Sequence, residues 1–168
     1  MEGGSAMNIY PILLAVCQTL SKDYDIPICI DPANPRYYKR GQKGNSVTGL
    51  FNPPINETDE PIIIIYLDGM KDMINYVTET DPSFDPTCIQ DVCDVCVRTV
   101  NHEYRHYLQW KWLTSRGYDF AKVSKDLEKQ INYKFDPLEI DARNYEMGNI
   151  QNIDDAMEKM IKEWRLSP

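Results

Sequence analysis

The sequence predicts an α+β fold: one helix, a small sheet, then a helical second half. Three observations predict it. Apolar residues recur at helical spacing over residues 8–20, and short isoleucine-rich runs bounded by prolines occupy parts of residues 25–67. Beyond Pro86 helical periodicity dominates, broken only where glycine, proline and aspartate cluster.

In the first helix Ile9, Ile12, Leu13, Val16, Cys17 and Leu20 form one amphipathic face, and the element is expected to end near Ser21. Residues 25–31 (DIPICID) read as a short strand. Residues 32–45 carry Pro35, Gly41, Gly44 and the chain's one basic patch (Arg36, Lys39, Arg40 and Lys43), and read as an exposed connection. Residues 47–51 and 62–67 then form two strands of a hairpin with a long polar loop. Turn residues cluster at 81–86, and a long helix is expected over about residues 86–115, ended by Gly117. A second helix covers about residues 120–133. A third opens at Pro137, a residue suited to a first helical turn, and stops at Gly148. The last helix places Ile153, Met157, Met160, Ile161 and Trp164 on one face.

Composition narrows the function. The 168 residues suit one domain, expected over residues 7–168, with residues 1–6 read as a cloning remnant before a native start at Met7. With 18 basic against 26 acidic residues the net charge is −8, which repels phosphate backbones and anionic lipid, so nucleic-acid and membrane-surface binding are disfavoured. The longest apolar run, residues 62–67, is far short of the ~20 residues that span a bilayer. Five cysteines, three of them (Cys88, Cys93, Cys96) close together, fit a reducing compartment better than a disulfide framework, and the protein is read as cytoplasmic.

Both histidines of the chain fall in Asn101-His102-Glu103-Tyr104-Arg105-His106, an HExxH arrangement that chance supplies in about one such sequence in 1,400. Residues four apart on a helix lie only ~40° apart around the axis, so both imidazoles can meet one metal ion. Glu103 lies ~100° from His102, beside the metal, where its carboxylate can take a proton from water without being a ligand. Zinc suits this donor set, and a catalytic zinc takes a third protein ligand. With His102 at 0°, Cys93, Cys96, Val97, Val100, Tyr104, Tyr107 and Leu108 fall between ~120° and ~240°, so the core is expected opposite the histidines, which would then face a cleft or solvent. The plainer alternative is a pair of hydrogen-bonded surface histidines.

The third ligand is expected from the helix that opens at Pro137. Glu139 is favoured, with Ala142, Arg143 and Glu146 on its face and Asp141 about 200° away. The small Ala142 would allow close approach of the zinc helix. The simpler account of Glu139 is a favourable acid in a first helical turn.

His102-Glu103-Tyr104-Arg105-His106 followed by Pro137-Leu138-Glu139-Ile140-Asp141-Ala142 resembles small gluzincin metallopeptidases, the minigluzincin type that includes the ImmA/IrrE family of bacterial and phage regulators. In that family the ligand glutamate is followed three residues later by alanine, as Glu139 is by Ala142. Residues 49–51 leading through a loop to residues 62–65 resemble their strand pair before the zinc helix. The resemblance covers roughly residues 47–147 and implies a zincin-like fold, with an HExxH active-site helix and a C-terminal glutamate helix. It implies Zn2+ held by His102, His106 and Glu139, and peptide hydrolysis in a protein substrate with Glu103 as general base. It also implies a specific regulatory partner as one form that substrate can take.

The sequence departs from larger gluzincins in placing Arg143 four residues after the ligand glutamate, where they often carry an acid. An acid orienting a zinc histidine would come from elsewhere, with Asp136 and Glu146 as candidates. Tyr104, Tyr133, Arg143 and Tyr145 are all chemically suited to stabilise an oxyanion. The competing class is a non-catalytic zincin-fold module that binds zinc for a regulatory or interaction role. Glu103, unnecessary for holding zinc, favours the enzyme.

Three other features have plainer readings. Strand 62–66 offers an edge for an extended substrate, although four consecutive isoleucines are more commonly a buried strand. Cys93 and Cys96 invite a second metal or redox site, but packing on a helix face is the favoured account. Tyr107, Trp110, Trp112, Tyr118 and Phe120 suit either a cleft or a helix-helix corner, the corner being favoured.

Overall fold

The computed structural model describes residues 8–24, 26–33, 47–56 and 58–168. Residues 1–6, read above as a cloning remnant, and the basic patch lie outside them. Among the described residues the fold is α+β, with six α-helices and a three-stranded mixed sheet. The chain divides into two compact units, Met1–Val100 and Asn101–Pro168.

In the first unit, helix α1 (Tyr10–Tyr24) buries Leu13 and Cys17 and runs one turn past the expected stop. Strand β1 (Ile28–Asp31) pairs parallel with β3 (Ile62–Tyr66), and β2 (Gly49–Asn52) pairs antiparallel with β3, Leu50 opposite Ile64. The sheet order is β1-β3-β2, so β3 is paired on both sides and offers no free edge. The expectation that an extended substrate could pair with this strand is therefore overturned. Ile63 and Ile65 are fully buried, as the plainer reading held.

Helix α2 (Leu67–Thr80) follows β3 without a break and was not legible in advance. Its N-cap residue, Tyr66, makes no side-chain capping bond, so no start signal marks it. Gly69 in its first turn is where the helix meets the chain leading into β2. A Cβ there would lie 2.0 Å from the Val47 carbonyl oxygen, a distance no side chain tolerates.

Helix α3 (Ile89–Ser115) carries the HExxH stretch. Its early turns bury Val92, Cys96 and Val100 within the first unit. In the second unit Gly117, at φ 80°, ends the helix, and the Tyr118 amide donates to the Leu113 carbonyl at 3.0 Å. Helix α4 (Phe120–Gln130) starts on the Asp119 cap, and a 3-10 turn at Tyr133–Phe135 leads into α5 (Pro137–Glu146). Asp136 caps α5, its carboxylate accepting from the Leu138 amide at 2.8 Å, and Gly148, at φ 86°, closes it. Helix α6 (Ile153–Trp164) starts on Asn152. The core of this unit is Trp112, Leu113, Val123, Leu127, Leu138, Met157 and Met160, with Tyr118 and Phe120 packed against it, so three of the five aromatics belong to a helix-helix corner. No helix among the described residues is long and apolar enough to cross a membrane.

Candidate functional site

The described residues contain one group able to hold a metal ion, His102, His106 and Glu139, whose ligand atoms lie within 4.8 Å of one another. Helical spacing puts the two imidazoles side by side, with ring centroids 4.9 Å apart. Asp136 and Pro137 start α5 so that Glu139 falls in its first turn, and fully buried Ala142, one turn on, leaves no bulk beside it. His102 Nε2 lies 3.0 Å from Glu139 Oε2, and His106 Nε2 lies 3.1 Å from Glu139 Oε1. Ligands about 2.0–2.1 Å from a tetrahedral zinc would be roughly 3.3–3.4 Å apart; each imidazole stands near that separation from one oxygen of Glu139, and the three ligand atoms as a set lie within 4.8 Å.

The remaining ring nitrogens each face another side chain. His102 Nδ1 faces Glu146 Oε1 at 3.6 Å, and His106 Nδ1 lies 2.7 Å from Gln109 Oε1. Both imidazoles thus turn Nε2 toward Glu139. Of the two acids considered for orienting a zinc histidine, Glu146 stands beside His102, whereas Asp136 is the helix cap.

The site is strongly polarised. Burial alone would lower the basicity of His102, but its bonds to Glu139 and Glu146 outweigh it and raise the pKa to about 10. His106 is raised in the same sense against its own burial, chiefly by Glu139. Burial would raise Glu139, but the two imidazoles hold its carboxyl well below the usual range. Glu103 is buried within this field, 8% exposed, and its charge contributes to the raised basicity of both histidines.

Comparison with known proteins finds no matching family model, curated protein or solved structure.

Burial along α3 differs from expectation. In the second unit its buried positions are Glu103, Arg105, His106, Gln109, Trp112 and Leu113, whereas Tyr104, Tyr107 and Leu108, on the predicted core stripe, are only half-buried. The histidines therefore do not face away from the packed side. The reason is α5, which brings polar partners to polar side chains, so burial here does not follow apolar periodicity.

Of the oxyanion candidates, Tyr133 reaches the cluster, its hydroxyl donating to Glu139 Oε2 at 2.9 Å. Burial of that hydroxyl, then the Glu139 carboxylate, push the phenol above its ordinary value, although 62% of the residue is exposed. Tyr145 lies under the Arg105 guanidinium, 5.1 Å from it, and 6.4 Å from the Tyr104 ring. The Arg143 guanidinium donates to the Lys134 carbonyl. Cys96 is fully buried, and burial first, then its neighbours Cys93 and Cys17, raise its thiol to about 12, the opposite of a reactive thiol.

Sequence reasoning missed Gln109, and it missed the pairing of Arg105 with Asp141. Arg105 is 2% exposed and donates to Asp141 through Nε at 2.7 Å and Nη2 at 3.0 Å. An arginine and a glutamine three and seven residues after His102 were the only signal, and polar residues on a helix read as exposed until a partner is known.

Proposed function

We propose that this chain is a zinc-dependent metallopeptidase of the small gluzincin type, zincin-like in fold, hydrolysing peptide bonds in a protein substrate. The observation that carries the reading is the convergence of His102 Nε2 and His106 Nε2 on the two oxygens of Glu139, with Glu103 buried on the next position of the helix. Two imidazoles, a carboxylate and a non-ligating glutamate are the donor set and base that metal-assisted hydrolysis needs. His102, His106 and Glu139 would hold zinc, which would supply Lewis-acid polarisation of the scissile carbonyl. Glu103 takes the proton of the attacking water and passes it to the leaving amine. Tyr133, whose hydroxyl already donates into the cluster, stabilises the oxyanion as the carbonyl is attacked. All five cysteines are free thiols, which supports the cytoplasm as the working compartment.

The test combines metal content with hydrolysis of casein and of the chain itself. About one zinc per chain is expected. Glu103→Gln should keep the zinc and lose activity by ~10²–10⁴-fold, and Tyr133→Phe should lower kcat more than it changes KM. Absence of zinc from protein prepared without chelator, with no thermal stabilisation on adding it, would sink the metalloprotein reading. Zinc without hydrolysis would leave a non-catalytic binding module.

A further inference from the structure

Gln109 is fully buried one turn beyond His106, and every polar atom of its side chain is engaged. Its Nε2 donates to the Leu138 carbonyl at 3.0 Å and to Asp141 Oδ2 at 2.9 Å. Both partners are pure acceptors, so the amide cannot be flipped without setting its oxygen against two others. Gln109 Oε1 is thereby left facing His106 Nδ1 at 2.7 Å. An amide oxygen only accepts, so His106 must carry a proton on Nδ1, and Nε2 is the nitrogen aimed at Glu139. Asp141 is itself held by two bonds from Arg105, whose Nη2 also donates to the Gln151 carbonyl at 2.9 Å.

From this we infer that Gln109 is a positioning residue that sets the tautomer of His106 and, through Leu138 and Asp141, the register of α5 against the HExxH stretch. The inference rests on the metal-site reading for its purpose but not for its geometry. It makes the two histidines unequal. His106 is held by a short bond to a fully buried neutral amide, whereas Glu146, the partner of His102, is 23% exposed in its side chain and stands 3.6 Å away.

The experiment uses the full chain, with zinc alone as the probe. Zinc affinity is measured by competition with a chromophoric chelator, and the two imidazoles are followed by proton–nitrogen NMR. With only two histidines in the chain, Glu146→Gln, which perturbs only the neighbour of His102, assigns the signals. In the wild type the His106 Nδ1 proton should be protected from exchange with and without zinc, and the metal should sit on Nε2. Gln109→Met, nearly isosteric but unable to accept, should expose that proton to rapid exchange and weaken zinc binding by ~10–100-fold, the usual range for the partner of a metal-bound histidine. A wild-type Nδ1 proton that exchanges as fast as that of His102 would overturn the inference, whether or not the variant folds. So would a folded Gln109→Met that binds zinc as tightly as the wild type. A protected proton in a protein that binds no zinc would instead defeat the metallopeptidase reading and leave this one standing.

Discussion

Replacing Asp141 with alanine should strongly destabilise the fold. Its two oxygens accept from Arg105 at 2.7 and 3.0 Å and from Gln109 at 2.9 Å, three bonds to groups that are 2% and 0% exposed. After truncation Arg105 would keep, among the described residues, the Gln151 carbonyl and the Tyr145 ring, and its charge would lose the carboxylate it is paired with. Breaking a buried pair from one side typically costs about 3–5 kcal/mol, a large part of the ~5–15 kcal/mol that holds a domain together. At roughly 2–4 °C per kcal/mol for a chain of this length, the melting temperature should fall by about 6–20 °C. Thermal and urea unfolding in excess chelator are the assays, so that zinc linkage does not enter. Asp141→Asn, which keeps hydrogen bonding but not charge, should fall between. If Asp141→Ala melts within about 3 °C of the wild type, the buried pair is not what holds α5 in place.

Glu139→Ala should weaken zinc binding far more than Glu146→Ala, for which a loss of ~10–100-fold is expected; the reverse order in competition titrations would move the third ligand to Glu146. The metal-free protein should be most stable between about pH 4.5 and 6.5. The raised His102, at about 10 against an ordinary 6.5, contributes stability that is complete below 6.5 and lost as pH rises through 10. The lowered Glu139 contributes stability that is complete above its ordinary 4.5 and lost as pH falls. Added zinc should act in the opposite sense, stabilising more at pH 8 than at pH 6, because it displaces protons from both imidazoles. Melting curves across that range check both limbs, and a metal-free melting temperature that rises from pH 6.5 to 10 would contradict the charge assignment. Gly69→Ala should destabilise the first unit, against the ~1 kcal/mol that a glycine-to-alanine change ordinarily gains in a helix, because the new Cβ meets backbone; an unchanged or raised melting temperature would refute that close approach.

The sequence by itself determined the parts whose physics is local. The four-residue spacing of His102 and His106 puts two imidazoles on one helical face wherever the helix goes. Caps and breaks were legible for the same reason: Pro137 opens α5, while Gly117 and Gly148 take the left-handed backbone that ends α3 and α5. Glu139 is favoured in the sequence by the small Ala142 one turn further on, and it stands against both imidazoles.

Tertiary structure decided what depends on residues far apart in the chain. Helix α2 carries no start signal because β3 runs straight into it, and β3 became the central strand only once β1 paired on its other side. The buried side of α3 was misread because periodicity counts apolar residues. In the second unit that helix instead buries an acid, an arginine, a histidine and a glutamine, each acceptable in the interior only when a partner is supplied. For Arg105 and Gln109 that partner is Asp141, 36 and 32 residues away. No local pattern encodes such a pairing, because its favourable free energy exists only after α5 has folded back against α3 and excluded water from both.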